Sequence, residues 1–342
     1  MKKILPATSL LMLSVLGLSA CGQQSSNSAA PDQGAIKVVA TTDVYADLVK
    51  EIGGERVEAT PLIASTAVDP HSYEATSQDR LAVKDADIVV VNGGGYDAFL
   101  TDLAGNDNPG QKIVNAVEVS GLFSADDLAH MQEEHHGEAD TDHDHEGHDH
   151  EGHDHEGHDH EGHDHEGHDH HAYNEHVWYD LDTMKKVADQ VAADLAELDP
   201  DQADTYRSAA RDFSTRLDEL ITRLKAVDSK KRTYLATEPV SGYLLQDAGF
   251  TDATPADLTA AVDSESDIAP LTLQEAKDLL GAGKIDLLAF NEQTQTAQTA
   301  EIFSYAQNKD VPSVSFTETL PENTGYIEWM NQNIDNLEKA VA

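Results

Sequence analysis

Short β-branched runs alternate with amphipathic stretches along the chain from residue 36 to residue 120. The runs predict strands at Ile36–Thr41, Val57–Ile63, Asp87–Asn92 and Ile113–Val117. The stretches between them predict helices, among them Tyr45–Ile52 and Ser77–Lys84. Because strands alternate with helices, we expect a mainly parallel sheet with crossover helices.

The pattern changes near residue 181, where a long helical segment begins. Apolar residues recur at three-and-four spacing over Asp182–Leu198 and Asp201–Val227, with an interruption at Asp199-Pro200. Alternation then resumes, with strands predicted at Thr233–Thr237, Asp286–Asn291 and Val314–Phe316, and helices at Gly242–Ala248, Thr272–Leu280, Thr299–Asn308 and Gly325–Ala342. We therefore predict an α/β protein of two lobes, each with a mainly parallel sheet and flanking helices. The N-terminal lobe spans 35–180, a bridging helix spans 181–230, and the C-terminal lobe spans 231–342.

The N-terminus has the pattern of a secretory signal. A basic start, Met1–Lys3, precedes the apolar stretch Leu10–Leu18, which is too short to span a bilayer. Leu18-Ser19-Ala20-Cys21 resembles a bacterial lipobox, so we expect cleavage after residue 20, lipidation of Cys21 and a flexible tether over 21–34. The alternative is ordinary signal cleavage with Cys21 present by chance. As the only cysteine, Cys21 excludes an intramolecular disulfide framework and a cysteine-built zinc site.

The charge of the chain is strongly negative and unevenly distributed. A formal net charge of -42 argues against nucleic acid or an anionic membrane face as partner and favours cations. No Lys or Arg occurs between Lys112 and Lys185.

That stretch holds a histidine repeat. His-Asp-His-Glu-Gly occurs five times from residue 143 and ends in His-Asp-His-His. We expect a disordered, acidic loop over about 125–172 that binds metal loosely at several places. The alternative is a solvated acidic spacer with no metal role. The auxiliary metal-binding candidates are His143, His145, His148, His150, His153, His155, His158, His160, His163, His165, His168, His170 and His171.

Two isolated histidines and two glutamates stand where a cleft between the lobes would bring them together. His71 falls in a loop after the second strand, and His176 precedes the long helical segment. Glu238 and Glu318 each follow a predicted strand of the second lobe, at the edge where α/β sheets place their ligands. We predict that two imidazoles and two carboxylates form a closed site for a divalent cation. Each of these residues, taken alone, also fits a surface, core or helix-capping role.

The motifs around these residues resemble those of the zinc/manganese-binding lipoproteins of bacterial ABC importers, the ZnuA/TroA type (cluster A-I). The matching pieces are Asp69-Pro70-His71-Ser72-Tyr73-Glu74, Asn174-Glu175-His176-Val177-Trp178, Thr237-Glu238-Pro239 with Gly242-Tyr243, and Thr317-Glu318-Thr319. The resemblance implies two α/β lobes with the metal between them. It also implies an ABC permease as partner, extracytoplasmic anchoring through lipid only, and metal ligands at His71, His176, Glu238 and Glu318. We also expect a monomer.

The resemblance leaves the identity of the ion open. Zinc members usually have a third histidine where this chain has Glu238, and glutamate there is more typical of the manganese branch. The histidine-rich insertion favours Zn²⁺, and an N/O site binds zinc more tightly than manganese, so we favour zinc with Mn²⁺ as the alternative.

Two other classes of function fit less well. A catalytic zinc needs an open position and a nearby general base, and four protein ligands leave no such position, so we predict no enzymatic activity and no catalytic residue. A passive surface metal sponge or adhesin would not explain the long α/β pattern outside the repeat.

Overall fold

Both predicted sheets are present, each with four parallel strands. The computed structural model of the protein describes residues 34–68, 70–106, 108–136, 173–264 and 266–342. Residues Ala35–Ala342 form one compact unit. The predicted signal peptide, Cys21 and the histidine repeat lie outside the described residues, and so does the tether except for Gly34.

The first lobe is a parallel sheet flanked by helices. Its strands are β1 (Ile36–Thr42), β2 (Val57–Ile63), β3 (Ile88–Val91) and β4 (Lys112–Asn115). Its helices are α1 (Asp43–Gly53), α2 (Ser77–Asp85), α3 (Ala98–Leu103), α4 (Ala116–Ser120) and α5 (Ala125–His136). The strand order is β2-β1-β3-β4, so the chain winds outward from β1 in both directions.

Two helices follow, α6 (Leu181–Leu198) and α7 (Ala203–Leu224), separated by a short 3-10 turn at Pro200–Gln202. The predicted interruption at Asp199-Pro200 is confirmed, because α6 ends one residue before Asp199. A proline lacks the amide proton that would continue the α-helical hydrogen bonds, and it suits the first turn of a new helical segment.

The second lobe repeats the plan of the first. Its strands are β5 (Thr233–Ala236), β6 (Thr251–Asp252), β7 (Leu287–Asn291) and β8 (Ser313–Phe316), in the order β6-β5-β7-β8. Its helices are α8 (Gly242–Ala248), α9 (Ala256–Asp263), α10 (Pro270–Gly281), α11 (Ala297–Asn308) and α12 (Tyr326–Val341). The longest helix, α7, contacts α1 of the first lobe and α8 and α12 of the second.

Neighbouring residues of the strands pack into different apolar clusters. Val38 faces an inner core that also contains Leu287 of the second sheet, whereas Val39 faces an outer cluster under α2 and α3. In the same way Leu288 packs into an outer cluster with α10 and α11. Each sheet is therefore covered on both faces, which explains why the central strands β3 and β7 are buried along their whole length. The inner core is shared by both lobes and by α6, α7 and α12.

Some elements differ from the sequence-based expectations. The predicted strand Ile113–Val117 ends at Asn115, whose side chain accepts a hydrogen bond of 3.1 Å from Glu118 N and caps α4. The expectation of a disordered loop over about 125–172 is wrong for its first part, because helix α5 occupies Ala125–His136 and packs Leu128 and Met131 against the inner core. Helix α9 and the two-residue strand β6 were not predicted. Among the described residues, no helix is both long enough and apolar enough to cross a membrane.

Candidate metal centre

His71 lies on the loop between β2 and α2, and this loop is held at both ends. Gln293 of the second lobe donates from Nε2 to Val68 O over 2.6 Å. At the other end, Thr76 and Asp79 form a capping box that starts α2. The His71 side chain is 21% exposed, more than either glutamate that it faces.

His176 is buried, with 1% of its surface exposed. Its Nδ1 lies 2.8 Å from Asn174 Oδ1, an oxygen that can only accept, so Nδ1 carries the proton and Nε2 presents a lone pair. Asn174 donates from Nδ2 to Pro239 O over 2.9 Å, which ties this loop to the second lobe. His176 Nε2 has no hydrogen-bond partner among the described residues. A buried, oriented lone pair of this kind is what a metal ligand requires.

Glu238 and Glu318 enter from the second lobe, just beyond the ends of β5 and β8. They are 7% and 0% exposed, respectively. Glu238 precedes a 3-10 turn, but its side chain makes no capping hydrogen bond there, which removes the helix-capping interpretation. One amide, Asn291 Nδ2, donates to Glu238 Oε2 over 2.6 Å and to Glu318 Oε1 over 2.9 Å.

The structure brings the four side chains together at the lobe interface. His71 Nε2 lies 3.5 Å from Glu238 Oε1 and 3.3 Å from Glu318 Oε2. The rings of His71 and His176 are 5.8 Å apart between centroids. His71 therefore belongs to two possible ligand groups, one with Glu238 and Glu318 of the second lobe and one with Glu175 and His176 of the first. A divalent cation held by the four proposed ligands would have two nitrogen and two oxygen donors.

The pKa values of the four side chains are shifted by burial and by their mutual contacts. Burial opposes a charge on His71, but its contacts with the two carboxylates outweigh this and raise its pKa well above 6.5. Burial lowers the pKa of His176 to about 3, so its ring is neutral. Burial and the charge of Glu238 raise the pKa of Glu318, whereas contact with His71 outweighs burial and lowers the pKa of Glu238. A proton on His71 therefore neutralises part of the charge that a bound dication would neutralise.

The sequence did not single out several residues that build the centre. Glu175 forms a possible ligand group with His71 and His176, and burial raises its pKa to about 7. Asn291 was predicted only as the end of a strand. The ring of Tyr96 lies 5.1 Å from that of His71. Only Glu175 carried a sequence signal, because it adjoins His176 in the quoted motif.

The two α/β lobes, with a buried cluster of histidines and glutamates at their interface, are the architecture of metal-binding substrate-binding proteins. The chain belongs to the ZnuA family, described as zinc-uptake complex component A, periplasmic, whose model matches residues 38–340. It is accordingly a solute-binding protein of a metal ABC transporter and not an enzyme.

The chain is similar to named relatives in sequence and to solved structures in fold. A manganese-binding lipoprotein, MntA, from Halalkalibacterium halodurans is 24% identical over 344 residues, which cover 98% of this chain and 97% of that protein. The periplasmic zinc-binding protein TroA from Treponema pallidum superposes with a TM-score of 0.66 at 17% identity, covering 90% of this chain and 100% of that one. The protein FpvC from Pseudomonas aeruginosa, solved in complex with Mn²⁺, superposes with a TM-score of 0.65 at 19% identity, covering 90% of this chain and 98% of that one. These structures share the fold.

Proposed function

We propose that this protein is a lipid-anchored, extracytoplasmic receptor that captures Zn²⁺ between its lobes and delivers it to the permease of an ABC importer. The observation that carries the proposal is the buried lone pair of His176 Nε2, in a ring that lies beside His71, which in turn contacts both carboxylates. A buried acceptor without a partner is unfavourable by about 1–3 kcal/mol. A metal ion at this position would satisfy it together with the three other donors.

Zinc fits the donor set better than manganese does. Two imidazoles and two carboxylates are typical zinc ligands, and zinc favours four ligands in a tetrahedron. Manganese is the second candidate, because most of the named relatives are manganese-binding or manganese-transport lipoproteins and several structural neighbours hold Mn²⁺. Two oxygen donors would also suit manganese.

Capture and release both depend on the contact between the lobes. Two of the proposed ligands come from each lobe, so separation of the lobes would break the shell in half. Hydrogen bonds hold the lobes together near the site, from Tyr179 Oη to Thr317 O over 2.8 Å and from Tyr326 Oη to Trp178 O over 2.6 Å. The permease would release the ion by disturbing these contacts.

The anchor and the repeat complete the proposal. Lipidation at Cys21 would hold a monomeric receptor at the extracytoplasmic face of the cell membrane, as the lipobox predicts and as relatives named lipoproteins suggest. The histidine repeat would raise the local concentration of metal near the cleft. A passive sponge or adhesin would use the repeat alone, and it would leave the buried cluster without a role.

Thermal unfolding with and without metal tests the cleft site in the full chain. Zinc at about 1,000 times the dissociation constant should stabilise the protein by roughly 4 kcal/mol. His71→Ala and His176→Ala should lose most of this gain, since each removes a ligand. His130→Ala, on the exposed face of α5, is the matched control and should keep it. A His71→Ala protein that responds to zinc as fully as the parent would refute the proposed site.

A further inference from the structure

Asn291 stands at the end of β7 with its side chain between the two carboxylates of the metal centre. It is 3% exposed and lies opposite Phe316, the last residue of β8. Its backbone N–H donates to Thr237 Oγ1 over 3.1 Å. The residue is thus fixed by the strand register and is not part of a movable loop.

The orientation of the Asn291 amide follows from its hydrogen bonds. Its Oδ1 accepts from Gln293 N over 3.0 Å, so the NH₂ group must point the other way, toward the carboxylates. There its two protons match two acceptors, Glu238 Oε2 and Glu318 Oε1. The hydroxyl of Thr294 also donates to Glu238 Oε2.

These bonds give the two oxygens of each carboxylate different roles. One oxygen of each is held by Asn291, while the others, Glu238 Oε1 and Glu318 Oε2, face His71 at 3.5 and 3.3 Å. A hydrogen bond to a carboxylate is stronger than one between neutral groups, so withdrawing an oxygen from Asn291 has a cost. Each carboxylate therefore has one oxygen readily available to an ion.

We propose that Asn291 is a positioning residue that sets metal specificity by restricting both carboxylates to a single bond with the ion. The centre then presents four donors, two imidazole nitrogens and two carboxylate oxygens, which satisfies a tetrahedral zinc ion. Manganese is typically bound by six mostly oxygen ligands and would lack two of them. This inference rests on the proposed binding of zinc in the cleft, and it explains how a site with two glutamates selects zinc.

Asn291→Leu in the full chain tests the inference, because leucine nearly preserves the volume and removes both donors. Zn²⁺ and Mn²⁺ affinities are measured by competition titration, and the binding of a His71→Ala chain is subtracted to isolate the cleft. We expect the manganese-to-zinc affinity ratio to rise about tenfold, the size of one charged hydrogen bond. X-ray absorption of the zinc-loaded variant should show more than four ligands, where the parent shows four.

Matched variants separate positioning from stability. Asn333→Leu removes another buried amide, on α12, and should leave the ratio unchanged. If Asn291→Leu does not fold, Asn291→Ser, which keeps one donor, should raise the ratio by a smaller factor. An unchanged ratio and an unchanged ligand number in the folded Asn291 variant would overturn the inference while leaving the cleft site intact. A parent chain that binds no more zinc than the His71→Ala chain would overturn both the inference on Asn291 and the proposed zinc site in the cleft.

Discussion

The carboxyl group of Asp43 offers a test of the lobe interface itself. Asp43 begins α1, and its Oδ1 accepts a hydrogen bond of 3.0 Å from Leu320 N, two residues beyond Glu318. Nearby, Asp47 Oδ2 accepts one of 2.8 Å from Tyr326 N. The carboxylates of Asp43 and Asp47 in the first lobe thus bind, through hydrogen bonds, the segment that follows β8 in the second lobe.

Burial, with a smaller contribution from the charge of Asp47, raises the pKa of Asp43 from 3.8 to about 6. Because the folded state binds this proton more tightly than the unfolded state, protonation stabilises the fold. That stabilisation is fully present below pH 3.8 and is lost as the pH rises through about 6. At pH 7 the ionised Asp43 therefore destabilises the interface.

Asp43→Asn should make the metal-free protein more stable at neutral pH, since asparagine keeps the Oδ1 acceptor for Leu320 N and has no charge. One pKa unit corresponds to about 1.4 kcal/mol, so the rise from 3.8 to about 6 sets an upper limit of about 3 kcal/mol. Asp43 is partly exposed, and solvent screening reduces this to an expected gain of about 1–2 kcal/mol.

Urea unfolding of parent and variant, in the presence of a chelator, measures the gain between pH 4 and pH 7. Any lost negative charge could relieve repulsion in a chain of net charge -42, so Asp212→Asn on the exposed face of α7 is the control. Near pH 7 the free energy of unfolding should rise more in Asp43→Asn than in the Asp212→Asn control. Near pH 4 this difference between the two variants should vanish. A destabilised Asp43→Asn protein at pH 7, or a gain that does not change with pH, would refute this account.

Four further outcomes are expected. Cys21→Ala should release a folded protein from the membrane fraction; equal retention in cell fractionation would contradict the lipoprotein interpretation. Deletion of 137–171 should lower the number of zinc ions bound per chain and leave one tight site. Loss of that site in calorimetry would contradict the proposal that the repeat only collects metal for the cleft. In the chain that lacks 137–171, Glu238→His should keep zinc binding and weaken manganese binding, whereas Glu238→Ala should weaken the binding of both ions. Unchanged affinities in the alanine variant would exclude Glu238 as a ligand. Zinc binding to the deletion variant near pH 7 should release protons, because the raised pKa of His71 keeps its ring protonated until the ion displaces the proton. Calorimetric heats of binding that do not depend on the ionisation enthalpy of the buffer would contradict this.

The alternation of apolar runs and amphipathic stretches was enough to predict both sheets. Parallel strands buried on both faces are apolar throughout, and crossover helices separate them, so the signal is strong. The run through Val117 was misleading, because its last two residues continue the apolar pattern into α4. Helix α9 was missed because a helix of 8 residues is too short to show a clear periodicity of its own.

The candidate ligands could be predicted for a different reason. Glu238 and Glu318 follow strands, and strand ends meet at one edge of a parallel sheet whatever the details of packing. Asn291 also ends a strand, yet nothing in the sequence distinguishes an amide that bridges two carboxylates from one that caps a turn. Its role became visible only through hydrogen bonds of 2.6 and 2.9 Å to partners 53 and 27 residues away.

The four proposed ligands are not equally buried, and this bears on how the ion would leave. Asn291 fixes both carboxylates from within the second lobe, and Asn174 fixes the ring of His176. His71 instead lies on a loop that reaches the second lobe through the hydrogen bond from Gln293 to Val68 O, and its side chain is 21% exposed against 5% and 0% for the glutamates. His71 is therefore the proposed ligand most exposed to solvent. A permease that separated the lobes would also break the hydrogen bond from Gln293 to Val68 O, and the centre would then open first at His71.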